Sequence, residues 1–320
     1  MKLRILYHGN CFDGAASAGL FACFFREHLA QGPAKVAYTP MQHKGDVGPI
    51  APSLLDGDVN ACVDFRYSQE PRLHWWFDHH VSAFQQPGDE AHFRADRSGQ
   101  KFYDPARKSC TKFLAESLAE RFGFAIERFA ELLRWAEIID GALFPSAAVA
   151  VELHEPALRL MTWVENNRDR ALAERFIEDL VARPIADIAA DDYVAKALAP
   201  LLERHRTNIE TVRRLARLDR GVVVTNLIAE GVHTVNKFIV YYLYPEARYT
   251  VTLLLTPERY KVSIGSNPWP PTPRTHDIAK LCERYGGGGH PAVGAIALPK
   301  TDLDKVLRVA AEVTEFLQSD

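Results

Sequence analysis

A run of aromatic residues that leads into three metal-binding side chains constrains the fold most strongly. Residues 75–77, Trp-Trp-Phe, are typical of a buried strand, and Asp78, His79 and His80 follow directly. In open α/β sheets, ligands bind beyond the carboxyl ends of the strands. Imidazole beside carboxylate suits a transition cation such as Mn²⁺ or Zn²⁺ better than Ca²⁺. The tripeptide also occurs on ordinary loops, so a metal site depends on what accompanies it.

Length and composition favour a cytoplasmic protein of two domains. The 320 residues exceed the size at which a single core stops growing, and 47% of them are hydrophobic. The net charge of −3 argues against non-specific binding of duplex DNA, which requires a strongly basic face. Five scattered cysteines without Cys-x-x-Cys spacing indicate a reducing compartment. We expect no signal peptide and no membrane span, because no apolar run reaches roughly 18 residues.

Two earlier strands are also predicted to end in polar side chains. Residues 3–7 form a β-type run that ends at His8, and a short loop then carries Asp13 into a helix. Residues 59–63 form another β-rich run that ends at Asp64. Because the carboxyl ends of parallel strands meet at one edge of a sheet, we expect these side chains to lie near residues 78–80. Read alone, Asp13 could equally cap the helix that follows it.

A fourth carboxylate follows an amphipathic helix. The helix predicted over residues 126–139 ends in Asp140-Gly141. A lone Asp before a glycine that stops a helix is normally turn chemistry. Together with the other acids, Asp140 becomes a further candidate metal ligand.

A basic segment precedes the next helix. Arg107 and Lys108 lie directly before Ser109, which is a suitable N-cap for the apolar periodic helix that follows. Backbone N–H groups and basic side chains at such a helix start can bind one anion. We therefore predict Arg107, Lys108 and Ser109 as substrate-binding residues, with a solvated charged loop as the alternative.

The second half of the chain has a different pattern. Residues 191–218 read as one long helix, which predicts a connector over residues 191–220 between a first domain, 1–190, and a second domain, 221–320. The order β, α, β, β, α, glycine loop, β, α indicates a smaller mixed α/β domain.

A run of four glycines lies in the second domain and ends at His290. Consecutive glycines are entropically costly to order, so their retention indicates a need for positive φ or close backbone approach. Exposed N–H groups in such a loop can bind an anion. We predict a substrate-binding role for Gly287, Gly288, Gly289 and His290, with a hinge as the alternative.

Taken together, these motifs resemble the DHH superfamily of phosphoesterases, in the branch with a C-terminal DHHA1 domain that includes the oligoribonuclease-like nanoRNases. The matching motifs are His8 through Asp13-Gly14, Val63-Asp64, Asp78-His79-His80, Asp140 and the glycine run with His290. The resemblance implies an α/β fold: an N-terminal, mostly parallel sheet flanked by helices, a helical connector, and a smaller mixed α/β domain.

The resemblance also implies a dinuclear site, with two Mn²⁺ ions and Mg²⁺ as the alternative. Asp64 would bridge the ions, His8 and Asp13 would hold one, and His79 and Asp140 would hold the other. The catalytic residues Asp78 and His80 would orient ligands or contact the substrate.

Two positions depart from the family pattern. Ala15 stands where many relatives carry a second Asp, which puts one metal position in doubt, and Asn10 offers only a neutral oxygen. Gly265 stands where an Arg is usual, so a bidentate phosphate contact is lost.

The function implied is that of a hydrolase acting on phosphate esters of short single-stranded oligonucleotides or small nucleotides, in a cleft between the domains. One alternative is a phosphomonoesterase acting on a nucleotide phosphate or on polyphosphate. Another is a nucleotide sensor of low turnover. A monomer and a homodimer both remain open.

Overall fold

The structure is a computed structural model that describes residues 1–42, 48–270 and 272–319. The chain divides into two compact units. The first unit consists of Met1–Phe144 and His154–Leu198, and the second consists of Pro145–Leu153 and the chain from Ala199 onward. No sequence pattern indicated that Pro145–Leu153 joins the second unit. In the described ranges, no helix combines the length and the apolarity that a membrane span requires.

A parallel sheet forms the centre of the first unit. Its strands within the described residues are β1 (Lys2–His8), β2 (Lys35–Met41), β3 (Val59–Val63), β4 (Trp75–Asp78) and β5 (Lys101–Tyr103). Their order is β2-β1-β3-β4-β5, and every neighbouring pair is parallel, which confirms the predicted sheet. The strand order reverses between β1 and β3, and this is the point at which such folds bind ligands.

Helices surround this sheet, and α1 lies at their centre. The helices of the first unit up to residue 190 are α1 (Phe12–Phe24), α2 (Asp89–Ala95), α3 (Cys110–Phe122), α4 (Ala130–Asp140), α6 (Pro156–Asn166), α7 (Arg170–Ala182) and α8 (Ile185–Ala190), whereas α5 (Ala147–Glu152) belongs to the second unit. Helix α1 packs against α3, α4 and α7. A Cβ at Gly19 would lie 2.7 Å from the carbonyl oxygen of Ile177, so a small residue is required where α1 meets α7.

The aromatic strand β4 is anchored on both of its faces. Trp75 packs against Phe21 and Phe24 of α1, while Trp76 packs on the opposite face against Tyr67 and Phe93. Adjacent side chains of a strand point to opposite faces, so consecutive aromatics fill both layers. Burying each large side chain contributes about 1.5–3 kcal/mol. The packing holds the end of β4, and with it residues 78–80, in a defined position.

The second unit contains a mixed sheet. Its described strands are β6 (Arg217–Asp219), β7 (Val222–Asn226), β8 (Tyr249–Leu255), β9 (Tyr260–Ser266), β10 (Gly288–His290) and β11 (Val293–Leu298), in the order β10-β11-β9-β8-β7-β6. The remaining helices are α9 (Asp192–Leu215), α10 (Ile239–Leu243), α11 (Ile278–Glu283) and α12 (Leu303–Leu317). Only β7 and β8 pair in parallel among these strands, and α11 and α12 cover one apolar face. The mixed α/β architecture is confirmed.

The predicted end of the long helix is wrong. Helix α9 stops at Leu215, and Arg217–Asp219 pairs with β7 as an antiparallel strand. Arg220 and Gly221 adopt positive φ between these two strands, at 43° and 77°. Arg217 and Arg220 therefore lie at a hairpin and not in a helix, since a two-residue turn of this kind requires positive φ.

Candidate metal centre

The acidic and imidazole side chains of the first unit converge at the point where the strand order reverses. His8 is the last residue of β1, Asp64 directly follows β3, and Asp78 ends β4. The backbone of Asp64 has φ 55°, a left-handed conformation that Asp and Asn adopt more readily than most residues. Its N–H donates to the carbonyl of Phe77, which ties the end of β3 to β4. The parallel register therefore brings together residues that are far apart in sequence.

Asp64 lies at the centre of the group and is 1% exposed. Neither of its carboxylate oxygens has a hydrogen-bond partner within the described part of the chain. The nearest imidazole nitrogens are His8 Nδ1, 3.4 Å from Oδ2, and His79 Nε2 and His80 Nδ1, 3.5 and 3.8 Å from Oδ1. Burial opposes ionisation, but the imidazoles outweigh it and lower the pKa of Asp64. A buried, ionised carboxylate with unpaired oxygens is costly unless a cation compensates it.

His79 is oriented by the backbone so that its second nitrogen points at the acids. Its Nδ1 lies 3.1 Å from the carbonyl oxygen of Arg107, to which only an N–H can donate. Its Nε2 lies 3.2 Å from Oδ2 of Asp140 and 3.9 Å from Oδ2 of Asp13. Among the described residues, this Nε2 has no hydrogen-bond partner. A carbonyl bound to one ring nitrogen is the usual arrangement behind a metal-ligating imidazole.

The pKa values of His79 and Asp140 reflect the number of carboxylates that lie around them. Burial disfavours the imidazolium form of His79, but Asp64, Asp13 and Asp140 outweigh it and raise its pKa to about 10. Burial, together with Asp13 and Asp64, raises the pKa of Asp140 to about 8. Near neutral pH, His79 and Asp140 therefore keep protons that an ordinary imidazole and an ordinary carboxyl would release. A bound cation would take the place of that positive charge.

Asp78 orients His80. Its Oδ1 accepts a hydrogen bond of 2.7 Å from Nδ1 of His80 and further bonds from the backbone N–H groups of His79 and His80. Burial lowers the pKa of His80, but the contact with Asp78 reverses this and raises it to about 9. Asp78 is fully buried and holds the ring with its second nitrogen, Nε2, away from the carboxylate.

Asp13 is held by the start of α3. Its Oδ1 accepts from the hydroxyl of Ser109 at 2.6 Å and from the N–H of Thr111 at 3.1 Å, and its Oδ2 accepts from the N–H of Cys110 at 2.6 Å. Burial and the nearby Asp64 raise the pKa of Asp13, and the bonds from Ser109 and Thr111 oppose that rise. The carboxylate thus lies at the positive end of a helix, where N–H groups are unsatisfied.

The side chains present fit a divalent cation. His8, Asp64 and His80 each offer a ligand atom, and these atoms lie within 4.8 Å of one another. Asp13, Asp64 and His79 form a second such group, which shares Asp64. The unpaired oxygens of Asp64 and the unpaired Nε2 of His79 are the atoms that a cation would satisfy. This grouping joins His8 to His80, whereas the family resemblance pairs His8 with Asp13.

The predicted anion-binding segment has a different environment for each residue. Ser109 is the N-cap of α3, as predicted, because its side chain accepts from the N–H of Lys112, and it is buried. Arg107 forms ion pairs with Asp104 and Glu116. Lys108 is exposed. Ser109 contacts Asp13 through its hydroxyl, and Arg107 contacts His79 through its backbone carbonyl.

Neither Asn10 nor Ala15 replaces the second carboxylate that the family pattern has and this chain lacks. The amide of Asn10 donates to the carbonyls of Val164 and Asn167, and its oxygen accepts from Gln42. Ala15 is buried in α1. His80, which the sequence predicted as an orienting or catalytic neighbour, lies in one group with His8 and Asp64. Its signal was present in the Asp-His-His run, but its proximity to His8 depends on the strand register.

The glycine run of the second unit does two things. Gly286, with φ 74°, ends the turn after α11, and the N–H groups of Gly286 and Gly287 donate to the carbonyls of Glu283 and Cys282. Gly288–His290 forms β10, an exposed edge strand. The N–H groups of the first two glycines are thus used by the helix end, and the exposed residues of the run beyond them are Gly288 to His290.

Comparisons with known proteins agree with this architecture. No family model matches the sequence, and no curated protein matches it. A solved pGpG-specific phosphodiesterase from Vibrio cholerae superposes with a TM-score of 0.68 at 18% identity, covering 98% of this chain and 99% of that one. A DHH domain of a protein described as belonging to a family of ribosomal proteins has a TM-score of 0.60 at 13% identity, covering 99% and 87%. The chain has the DHH fold.

A larger protein of the same fold is also similar. RecJ from Thermus thermophilus, solved with Mn²⁺, has a TM-score of 0.53 at 16% identity. The match covers 98% of this chain and 52% of RecJ. The DHH fold therefore extends over nearly the whole of this chain, including both units.

Proposed function

We propose that the protein is a metal-dependent phosphoesterase that hydrolyses phosphodiester bonds in linear dinucleotides and other very short oligonucleotides. The observation that carries this proposal is Asp64, a buried carboxylate whose oxygens have no hydrogen-bond partner in the described residues and which three imidazoles surround. The structure with the highest TM-score among those cited above is a phosphodiesterase specific for pGpG, which supports a dinucleotide substrate.

Divalent cations bound around Asp64 would supply Lewis acidity toward a phosphoryl group and charge to stabilise the leaving oxygen. We propose Mn²⁺ with Mg²⁺ as the alternative, since RecJ structures were solved with each ion. His8, Asp13, Asp64, His79 and Asp140 are the proposed ligands, and His80 is a further candidate because it lies in one group with His8 and Asp64. The protein requires no nucleophile of its own for this reaction class.

The surrounding residues have positioning roles in this proposal. The carbonyl of Arg107 keeps the proton of His79 on Nδ1, which leaves Nε2 as the ligand atom. The carboxylate of Asp78 does the same for His80 through Nδ1. Preorganised ligands lower the cost of reaching the productive geometry. Gly288, Gly289 and His290, on an exposed edge, are the proposed contacts for a terminal phosphate or base.

The test is hydrolysis of defined substrates by the purified chain with Mn²⁺. We expect mononucleotides from pGpG and from RNA of two to five residues, and no release from longer strands. Asp64→Asn should abolish the activity while keeping the left-handed backbone, because Asn also adopts that conformation. Asp56→Asn is the matched control, since Asp56 is an ion-paired carboxylate that contacts Lys2 and Arg4.

A phosphomonoesterase is the second candidate, because an exopolyphosphatase-related protein from Bacteroides fragilis has a TM-score of 0.53 at 12% identity. Release of inorganic phosphate from polyphosphate, without cleavage of pGpG, would favour it. Saturable binding of pGpG without product at saturating Mn²⁺ would instead favour a nucleotide sensor.

A further inference from the structure

Two aromatic rings and one ammonium group lie together in the second unit. The ring centroids of Phe238 and Trp269 are 5.5 Å apart at an angle of 57°, and Lys237 Nζ lies 5.0 Å from the centroid of Phe238. Phe238 is buried, whereas Trp269 is partly exposed and Lys237 is exposed. We name these three residues the Trp269 cluster. It combines a ring that solvent reaches with a positive charge.

Trp269 differs from the other four tryptophans of the chain. Trp75, Trp76, Trp135 and Trp163 are at most 4% exposed, and all four lie in the first unit. Tryptophan is enriched at binding surfaces, where one part of the ring packs and another stays accessible. Trp269 is the one tryptophan with that environment.

The turn that carries Trp269 is anchored by Asn267. This asparagine is buried, and its amide donates to the carbonyls of Pro245 and Ala247, at 3.1 and 2.8 Å. Its Oδ1 accepts from the N–H of Trp269 at 2.9 Å. Pro268 stands between the two residues and restricts the backbone further. The anchoring that an indole could provide in a loop is therefore already provided by Asn267.

A turn of the same kind presents Phe238. Oδ1 of Asn236 accepts from the N–H of Phe238 at 2.9 Å, and the amide of Asn236 donates to the carbonyl of Ala150 at 2.9 Å. An Asn two residues before an aromatic thus fixes each ring, in the sequences Asn-Lys-Phe and Asn-Pro-Trp. Groups that are held in place before a ligand arrives lose less entropy when it binds.

Gly265 permits the close packing of α10 beside this cluster. A Cβ at Gly265 would lie 3.0 Å from Oη of Tyr241, so the helix lies against the end of β9. An Arg at this position, which is usual in the family, would have to displace the Tyr241 hydroxyl. Phe238 is the N-cap residue of α10 and lies three positions before Tyr241. The departure from the family pattern is therefore tied to the helix whose start carries Lys237 and Phe238.

An aromatic ring beside an ammonium group fits a nucleobase that carries a phosphate. Every base has a π-face that stacks on an aromatic side chain, and an ammonium group binds phosphate oxygens. A sugar phosphate would require the cation and not the ring, and an apolar ligand would require the ring and not the cation. The combination indicates a nucleotide.

We propose that the Trp269 cluster binds a nucleotide, with the base stacked on Trp269 and the phosphate contacted by Lys237. The proposal rests on the function proposed above for the choice of a nucleotide as ligand, and the binding itself requires no metal ion. Because stacking tolerates any base, we expect little preference among the four common nucleotides.

The test is titration of the metal-free full chain with guanosine monophosphate (GMP) in the presence of a chelator. Since the other four tryptophans are buried in the first unit, quenching of tryptophan fluorescence by a stacked base reports on Trp269. We expect saturable quenching by GMP, weaker binding of guanosine, and no quenching by ribose 5-phosphate, which lacks a base. Absence of quenching by GMP, or equal quenching by ribose 5-phosphate, would overturn the proposal.

Variants separate the ring from the charge, with binding measured by calorimetry. Trp269→Leu should weaken the binding of GMP by about 5–150-fold, the range expected for loss of one stacked base. Trp269→Phe keeps a ring and should bind GMP at least about threefold more tightly than Trp269→Leu. Equal affinities of these two variants would overturn the stacking role.

Lys237→Gln tests the phosphate contact. Because the charge is exposed, its loss should weaken GMP only about two- to fivefold, and it should leave the affinity for guanosine unchanged. An equal loss for GMP and for guanosine would show that Lys237 does not contact the phosphate.

The matched controls are Phe316→Leu and Arg284→Gln. These residues form another cation–aromatic pair of the second unit, with Cζ of Arg284 4.5 Å from the centroid of Phe316. Neither variant should change the affinity for GMP by more than about twofold, because effects of distant substitutions are local. Losses as large as those of Trp269→Leu and Lys237→Gln would contradict a site at the Trp269 cluster. Far-ultraviolet circular dichroism of each variant checks that its fold is retained.

The outcomes separate this proposal from the proposed function. If GMP quenches Trp269 as expected but pGpG, short RNA and polyphosphate all remain intact with Mn²⁺, the nucleotide-binding surface stands and the proposed phosphoesterase function fails. If pGpG is hydrolysed while Trp269→Leu binds GMP as tightly as wild type, the proposed function stands and this inference fails.

Discussion

The hydroxyl of Ser109 donates a hydrogen bond of 2.6 Å to Oδ1 of Asp13, which lies 96 positions earlier in the chain. The same serine caps α3 by accepting from the N–H of Lys112. One side chain therefore fixes the start of a helix and orients a carboxylate of the candidate metal centre. The arrangement links the local stability of α3 to the geometry of the site.

Ser109→Ala should affect both stability and metal binding. Loss of the cap costs about 1 kcal/mol, and loss of a hydrogen bond to a buried carboxylate adds about 1.5–3 kcal/mol. We also expect Mn²⁺ to bind about 10-fold more weakly, because Asp13 loses an orienting partner. Denaturant unfolding and calorimetric titration measure the two effects.

The matched control is Ser146→Ala. Ser146 caps α5 through the N–H of Val149 but contacts no metal-centre residue that the structure describes. Its loss should cost about 1 kcal/mol and leave the affinity for Mn²⁺ unchanged. Equal effects of the two variants on Mn²⁺ affinity would show that Ser109 acts only as a cap.

Asp64→Asn should affect both stability and function. The imidazoles that lower the pKa of Asp64 stabilise its charge in the metal-free protein, so removal of that charge should lower the free energy of unfolding at neutral pH by about 1–3 kcal/mol. Hydrolysis should fall by more than about 100-fold, since outer partners of metal ligands alone account for about 10–100-fold. Hydrolysis within about threefold of the wild-type rate would contradict the assignment of Asp64 as a metal ligand.

Removal of metal should destabilise the wild type and not this variant. A cation at 100 times its dissociation constant contributes about 2.7 kcal/mol to the folded state. For a unit of this size that corresponds to a rise in melting temperature of about 5–10 °C. Differential scanning fluorimetry with and without a chelator checks this, and an equal shift in Asp64→Asn would place the stabilising cation elsewhere.

The sequence predicts that these acids and imidazoles meet at one candidate site. It does not predict which of them lie together within that site. Parallel strands must end at one edge, so polar residues after residues 7, 63 and 77 could be assigned to one site without coordinates. The proximity of His8 to His80, however, depends on the register of β1, β3 and β4 and on the packing of Trp76. No local pattern encodes that register.

Other features escaped prediction for similar reasons. The strand Arg217–Asp219 forms because it pairs with β7, which outweighs the helical propensity of a run rich in Arg and Leu. The N–H groups of Gly286 and Gly287 are used by the end of α11, which only the three-dimensional path of the turn reveals. Long-range pairing decided both, whereas the N-cap at Ser109 is local and was predicted correctly.

Asp78→Asn should weaken metal binding without disrupting the turn after β4. The Asn oxygen can still accept from the backbone N–H groups of His79 and His80, but the charge that polarises the His80 ring is lost. We expect an affinity for Mn²⁺ about 10-fold lower, in line with other outer partners of metal ligands. Asp96→Asn is the control, because Asp96 accepts from Ser98 in a comparable turn. Equal affinities in both variants would exclude a role for the Asp78 charge.

The glycine run permits a test in which folding and substrate binding respond at different positions. A Cβ at Gly289, whose φ is 159°, would lie 2.3 Å from the carbonyl oxygen of Val293, and a Cβ at Gly287 would lie 2.3 Å from that of Ala295. A Cβ at Gly288 would meet no described atom within 4 Å. Gly287→Ala and Gly289→Ala should therefore destabilise the second unit by about 1–3 kcal/mol or more, and Gly288→Ala should change stability by less than about 0.5 kcal/mol.

Gly288→Ala then reports on the proposed substrate contact alone. If the exposed edge from Gly288 to His290 binds the substrate, the added methyl group should raise KM for pGpG several-fold and leave kcat and the unfolding transition unchanged, because only binding is affected. His290→Ala should raise KM in the same way. Steady-state kinetics with the same preparations used for unfolding give both quantities. An unchanged KM in both variants would remove the edge strand from the proposed site and leave the four glycines with a role in the α11 turn and in pairing with β11.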